Sequence, residues 1–312
     1  MTSAPLSGRA PVQTRLRLAG IAGIGVYRPP ADVADSQRLT GSDCPGVSYR
    51  VQAKSGLNTA SLAAGAARAA IKASGIDPAS VELIIAGTTT PDVLWPSTAC
   101  LVQAELELPM VASFDLYAAQ ASLLTAFDVA SRYMRSGAKA ALVIGAETSN
   151  QLVDFPGQSG GRHARGASAI VLAASEGGGE ILATAAGGRA TGETGTGGTG
   201  EKAAEGFSES IGDCLRQAGM RLNEVDLVVA EQTAPALMRR WLRDSGVSAG
   251  SFVLEPERYA DAFAAAPFAV LHDVVKEGRL KEGQTVLMLS YGTGPVWAVA
   301  CLRWGRGRVS EW

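Results

Sequence analysis

The most informative side chain for chemistry lies at the start of a helix. The segment DLYAAQASLLTAFDVASRYMRSG, residues 115–137, carries Gln120 where small residues give way to an amphipathic pattern. The first turn of a helix presents unpaired backbone N–H groups and a partial positive charge, which suit a nucleophile or an anion. A glutamine amide is neither, because its nitrogen lone pair is delocalised.

Other nucleophiles and metal ligands form no competing pattern. Ser122 lies close to Gln120, and we expect it to be structural. Of the two histidines, His163 falls in a loop and His272 in a helix near the surface, so neither is expected to act as a base or a ligand. The cysteines lack CxxC spacing, which predicts neither a disulfide framework nor a zinc site; they are Cys44, Cys100, Cys214 and Cys301.

Hydrophobic periodicity predicts a chain in which helices and strands alternate, as in mixed sheets covered by helices. The predicted helices are Leu57–Ser74, Ala119–Ser136, Ala203–Ala218, Ala234–Asp244 and Phe263–Glu277. The predicted strands are Gly20–Val26, Val81–Ala86, Ala140–Gly145, Ala169–Ala174, Val225–Ala230, Thr285–Ser290 and Val296–Arg303.

An internal repeat indicates two related halves. GIDPASVELIIAGTTTP, residues 75–91, aligns without a gap to GMRLNEVDLVVAEQTAP, residues 219–235, and each copy reads as helix end, buried strand and polar turn. The predicted division is a flexible N-terminus over 1–16, an N-terminal half over 17–184, a glycine-rich loop over 185–202 and a C-terminal half over 203–312.

Composition excludes several classes of function. The 312 residues are 46% hydrophobic and 19% charged, with a formal net charge of −2, so a large core is expected and nucleic-acid binding is not. No apolar run approaches the ~20 residues that a membrane span needs, and no secretory signal is evident. We therefore expect a cytoplasmic protein whose partners are small molecules and other proteins.

Five motifs then occur in a familiar order. They are GTTTPDVLWPSTACLVQAEL, SFDLYAAQASLLTAFDVA, RGASAIVLAAS, VAEQTAP and RYADAFAAAPFAVLHDVVKEGRLKEGQTVLMLSYGTGPVW. In this order the chain resembles ketoacyl-ACP synthase III over roughly residues 17–305. The resemblance implies an α/β thiolase fold with five α/β/α/β/α layers, two duplicated halves and a dimer.

The resemblance also implies which positions carried the family's chemistry. In that family a cysteine at the start of the buried helix takes an acyl group from coenzyme A, and a histidine and an asparagine hold the malonyl carrier during condensation. Here those positions are Gln120, Glu231 and Asp261, and the oxyanion loop contains Gly292 and Gly294. Gln120 cannot form a thioester, and ionised carboxylates accept hydrogen bonds instead of donating them to an enolate.

Three functions stay open at this point, and so does the question of whether the chain is an enzyme. The first is a non-catalytic subunit of fatty-acid or polyketide-type biosynthesis, paired with a Cys-bearing synthase paralogue. The second is acyl transfer without a covalent intermediate, with Glu231 as general base. The third is malonyl-ACP decarboxylation. No resident cofactor is expected; acyl-CoA or a phosphopantetheinyl acyl carrier protein is the possible substrate, and the assembly is a homodimer or a heterodimer.

Overall fold

A computed structural model describes most of the chain. The described residues are 19–28, 57–148, 165–174, 179–188, 201–232, 235–259, 264–292, 294 and 296–312.

Seven α-helices and eleven strands are assigned within these residues. The helices are α1 (Thr59–Ser74), α2 (Thr98–Glu105), α3 (Ser122–Arg135), α4 (Glu201–Gln217), α5 (Pro235–Asp244), α6 (Pro256–Tyr259) and α7 (Ala266–Lys276). The strands are β1 (Ala19–Tyr27), β2 (Val81–Gly87), β3 (Ala112–Leu116), β4 (Ala140–Thr148), β5 (Arg165–Ala174), β6 (Glu180–Gly188), β7 (Leu227–Ala230), β8 (Phe252–Val253), β9 (Thr285–Gly292), β10 (Val296–Arg303) and β11 (Arg308–Glu311).

Two sheets repeat one topology. The first has the strand order β11-β1-β5-β4-β2-β3, and the second has the order β6-β10-β9-β7-β8. Without β11 the two orders match strand for strand, including the parallel pairs β2–β4 and β7–β9. The predicted duplication is therefore present in the topology.

The second repeat begins at β6, the counterpart of β1. β6 pairs with β10 along its whole length, up to the contact between Gly188 and Val296. The first residues of the glycine-rich segment 185–202 thus lie in β6, which ends at Gly188, and α4 begins at Glu201. The many small side chains of β6 left no clear strand period in the sequence.

The layers alternate as the fold class requires. Helices α3 and α7 lie between the two sheets, where Phe127 and Phe268 pack edge to face with ring centroids 5.9 Å apart. Helices α1 and α2 cover the outer face of the first sheet, and α4 and α5 cover the outer face of the second. This five-layered α/β/α/β/α arrangement is the thiolase-like fold that the sequence predicted.

The central position of α3 changes the environment of its polar face. The sequence pattern put Asp128 and Arg132 on a polar face, yet Asp128 is buried. Its carboxylate accepts hydrogen bonds from Thr184 Oγ1 and from Arg132 Nη2, the latter at 3.0 Å. A helix enclosed by two sheets has little free surface, so this carboxylate is satisfied by protein donors.

An ion cluster joins α7 to the first sheet. The Asp273 carboxylate accepts hydrogen bonds from His272, Tyr259 and Arg28, each at 2.8 Å. Burial alone would raise the pKa of Asp273, but these hydrogen bonds outweigh it and lower the pKa below its ordinary value. His272 is fully buried, which corrects the surface position expected from the sequence.

Among the described residues, no helix combines the length and apolar character that crossing a bilayer would require.

Candidate functional site

Gln120 lies in a tight turn between β3 and α3. Ala119 has a φ of 47°, in the left-handed region that alanine rarely adopts, and α3 begins at Ser122, three residues after the predicted start. The Ser122 hydroxyl accepts a hydrogen bond from the Ala118 amide at 2.8 Å and donates one to the Ala119 carbonyl at 2.6 Å. Ser122 is therefore a structural brace for the turn that presents Gln120.

The end of β2 supports this turn from the first sheet. A Cβ at Gly87 would lie 2.8–2.9 Å from the backbone of Ser122 and Leu123. No larger residue fits without displacing the start of α3. The sequence argument missed Gly87, although a glycine that ends a buried strand signals such a close approach.

The β9–β10 connection closes the other side of Gln120. Ser290 Oγ donates a hydrogen bond to the Gln120 carbonyl at 2.8 Å. A Cβ at Gly292 would be 3.0 Å from the backbone nitrogen of Gln120, and Gly294 has a φ of 86°. The loop thus needs glycine for two different reasons, close packing at 292 and a left-handed backbone at 294.

Glu231 follows β7 and is almost completely buried, with 1% of its surface exposed. Ala230 is the last residue of β7 and pairs with Leu289 in the parallel β7–β9 ladder, so Glu231 follows β7 beside Ser290 of β9. Neighbouring strands lie about 4.8 Å apart. Because Ser290 contacts Gln120, the second sheet brings Glu231 to the same end of the central layer.

Gln232 fixes the backbone beside Glu231. Its side-chain amide donates to the carbonyls of Ala230 and Val253, at 2.6 and 3.1 Å, and accepts from the Glu255 amide at 2.8 Å. This fully buried side chain ties the ends of β7 and β8 together. Sequence reasoning did not single it out.

Three residues singled out in the sequence lie outside the described residues: Asp261, His163 and Cys44. The described segment resumes just before α7, where the Ala265 carbonyl accepts a hydrogen bond from Ser168 Oγ at 2.7 Å.

The three described thiols belong to elements other than the Gln120 turn. Cys214 and Cys301 belong to the outer hydrophobic cluster of the second sheet, and burial raises their pKa values to about 12 and about 11. Cys100 sits in α2, with its Sγ 3.7 Å from the Ser113 carbonyl. Gln120 therefore leaves the turn without a thiol, and a neutral amide there can bind a polar group but cannot carry an acyl chain.

Comparison with known proteins places this architecture in a family. The family model 3-oxoacyl-[acyl-carrier-protein (ACP)] synthase III matches residues 114–189, and the model of its C-terminal part matches residues 215–304. Beta-ketoacyl-[acyl-carrier-protein] synthase III from Aquifex aeolicus is 32% identical over 257 residues, which cover 78% of this chain and 83% of that protein. The Rhizorhabdus wittichii protein of the same name is 31% identical over 320 residues, covering 93% of this chain and 100% of that one.

Solved structures agree on the fold. The crystal structure of the Aquifex aeolicus synthase III superposes with a TM-score of 0.81 at 30% identity, covering 92% of this chain and 100% of that chain. OleA from Xanthomonas campestris shares the fold alone, with a TM-score of 0.78 at 20% identity and coverage of 93% and 99%. The protein is thus of the thiolase-like class. Within that class it belongs to the 3-oxoacyl-[acyl-carrier-protein] synthase III family of fatty-acid biosynthesis.

Proposed function

We propose that this chain is a non-catalytic subunit that pairs with a Cys-bearing synthase III paralogue in fatty-acid or polyketide-type biosynthesis. The observation that supports this most is Gln120 in a closely braced turn. The left-handed Ala119, the Ser122 brace and the close approach of Gly292 surround a side chain that cannot form a thioester. A well-defined turn that carries no nucleophile at this position fits a role in shape and association.

The edge of the first sheet supports a subunit role. Among the described strands β3 pairs with β2 alone, so one side of its backbone is open to another strand. Large apolar side chains are exposed beside it: Leu94 at 76%, Trp95 at 85% and Tyr117 at 71%. Tyr117 is only three residues before Gln120, so a partner at this edge would adjoin the site.

The proposed occupant is a subunit of the same fold. A related chain offers an equivalent open strand, so two such edges can pair while both cover their apolar side chains. Exposed apolar patches of this kind mark interaction sites. A Cys-bearing paralogue would supply the nucleophile that Gln120 does not.

Co-expression with each Cys-bearing synthase III paralogue of the same genome tests this proposal. We expect a complex that purifies in a 1:1 ratio and that Trp95→Asp disrupts. Trp312→Asp is the matched control, because Trp312 is also exposed but follows β11 at the opposite edge of the same sheet. Failure of every paralogue to bind would overturn the proposal.

Direct acyl transfer is a second candidate, favoured by the burial of Glu231 at a strand end next to the Gln120 turn. A carboxylate in such a place can act as a general base on an alcohol or amine acceptor. An isolated chain that turns over an acyl donor, and loses this activity in Glu231→Gln, would establish it. Decarboxylation of a malonyl carrier is less favoured, because a carboxylate at 231 offers an enolate no hydrogen-bond donor.

A further inference from the structure

A further buried carboxylate lies near the end of β4, among residues that the proposal above does not use. Glu147 is fully buried. Its Oε1 accepts a hydrogen bond from the Thr89 amide at 2.9 Å, and its Oε2 accepts from the hydroxyls of Thr89 and Thr90, both at 2.8 Å. All three donors belong to the turn that follows β2.

This turn is the base of the exposed apolar loop. The Thr90 carbonyl accepts from Thr59 Oγ1 at 2.6 Å, and the Asp92 carboxylate accepts from the Thr59 and Ala60 amides at the start of α1, both at 2.8 Å. The next residues are Val93, Leu94 and Trp95, all exposed. The loop therefore leaves the core directly after the residues that Glu147 holds.

The far end of the loop is attached to the edge strand. Ser97 caps α2, and the Asp115 carboxylate on β3 accepts hydrogen bonds from the Thr98 and Ala99 amides at 2.7 and 2.8 Å. The loop 91–97 thus connects the Glu147 turn to β3. Its conformation sets where Leu94 and Trp95 stand relative to the open edge.

We infer that Glu147 is a positioning residue. It holds loop 91–97, with the apolar side chains at its tip, in the conformation that a partner subunit meets. Whether the Glu147 carboxyl carries a proton sets how firmly the loop is held. This inference rests on the proposed function for the identity of the partner. The hold on the loop belongs to the isolated chain and can be measured without any partner.

The electrostatics give the direction of the effect. Burial raises the pKa of Glu147 to about 7, and the hydrogen bonds from Thr89 and Thr90 only partly offset it. No ion pair of Glu147 is found among the described residues. Among the described residues, the charged groups in the segments next to Glu147 are Asp92, before the loop tip, and Arg165, which the β4–β5 register sets opposite Thr148. On the strand and helix that pack against β4, Glu82 of β2 pairs with Lys139 and Arg68 of α1 pairs with Glu105, and α1 also carries Lys72.

The turn is called closed here when Thr89 and Thr90 hydrogen-bond to Glu147, and open when these bonds are broken. Proton linkage favours the closed turn at low pH. Opening the turn would hydrate the carboxyl and return its pKa to an ordinary value, so the closed turn binds the proton more tightly. Deprotonation leaves a buried charge and makes opening easier. With pKa values of 4.5 open and about 7 closed, the opening equilibrium rises about 70-fold from pH 5 to pH 8 if the carboxyl becomes fully hydrated.

Hydrogen exchange of peptides spanning 86–97 tests the inference on the isolated chain. After correction for intrinsic exchange rates, the wild type should open more readily as pH rises from 5 to 8, and Glu147→Gln should show little pH dependence. Glu82→Gln is the matched control, because Glu82 is an exposed residue of the preceding strand and should leave the profile unchanged. Equal rates at two protein concentrations show that self-association does not cause the protection.

If Glu147→Gln does not fold, the pH dependence of exchange in the wild type still tests the inference. Glu147→Asp should retain a pH-dependent exchange profile because it keeps the carboxyl. A wild-type profile that follows intrinsic exchange alone would overturn the inference. So would a Glu147→Gln profile identical to that of the wild type. If hydrogen exchange of the loop depends on pH but the chain binds no paralogue, the proposed function is wrong and the positioning role of Glu147 is still supported.

Discussion

Replacing Glu147 with glutamine should remove a pH dependence from the free energy of unfolding. The folded chain raises the pKa of this carboxyl from 4.5 to about 7, so between these values the folded state holds a proton that the unfolded state has released. The contribution of the group to stability is therefore fully present below pH 4.5 and is lost as pH rises through 7. At about 1.36 kcal/mol per tenfold change in affinity, the loss is about 3 kcal/mol.

Urea unfolding at pH 5, 6, 7 and 8 measures this effect. The wild type should lose stability relative to Glu147→Gln by about 2 to 3 kcal/mol across the series. Glutamine also rearranges the hydrogen bonds of Thr89 and Thr90, which adds a constant offset but no slope. Glu82→Gln serves again as control and should run parallel to the wild type. Parallel curves for the wild type and Glu147→Gln would refute the reasoning, because Glu147 would then not titrate in this window.

Three further predictions follow from other contacts. Gly87→Ala should destabilise the fold by about 1–3 kcal/mol in urea unfolding, because its Cβ would press on the Ser122 backbone at 2.8 Å. Asp273→Asn should cost about 3 kcal/mol at pH 7, as breaking a buried ion cluster does. Because folding lowers the pKa of Asp273, this penalty should shrink below pH 4 when unfolding is followed by circular dichroism. Gln120→Cys should acquire an acyl adduct from acyl-CoA in intact-mass analysis, since residue 120 directly precedes the N-terminus of α3, which favours a thiolate; an unmodified thiol would show that the turn does not activate a nucleophile.

The sequence predicted the elements with strong periodicity well. Buried strands such as Val296–Arg303 and the helix preceding Gly137 were located to within a few residues. The five layers were implied by the family resemblance alone, and the internal repeat indicated the two halves. Boundaries failed where backbone geometry overrode pattern, as at Ala119, whose left-handed conformation delays α3 until Ser122.

Other features had little signal in the sequence. β3 and β8 are short edge strands, and β6 consists largely of small residues. In these segments neither the two-residue period of a strand nor the 3.6-residue period of a helix stands out. β11 joins β1 across the two repeats, a pairing that local patterns cannot specify. Within the site, the position of Gln120 was read from motif order, but its contacts with Ser290 and Gly292 depend on packing between distant segments.

The buried charges were the hardest to foresee. Glu147 and Asp273 are buried, and the hydrogen bonds that satisfy them include donors far along the chain, such as Thr89 for Glu147 and Arg28 for Asp273. Periodicity assigns a face to a residue but does not count how many layers cover it. The burial of Asp128 on a seemingly polar face has the same origin.

Intact-mass spectrometry of the wild-type chain tests the central claim most directly. After incubation with acyl-CoA, and separately with acyl-loaded carrier protein, the mass should remain that of the unmodified polypeptide, because Gln120 cannot carry an acyl group. Gln120→Cys in the same experiment controls for substrate access. A stoichiometric acyl adduct on the wild type would contradict the account.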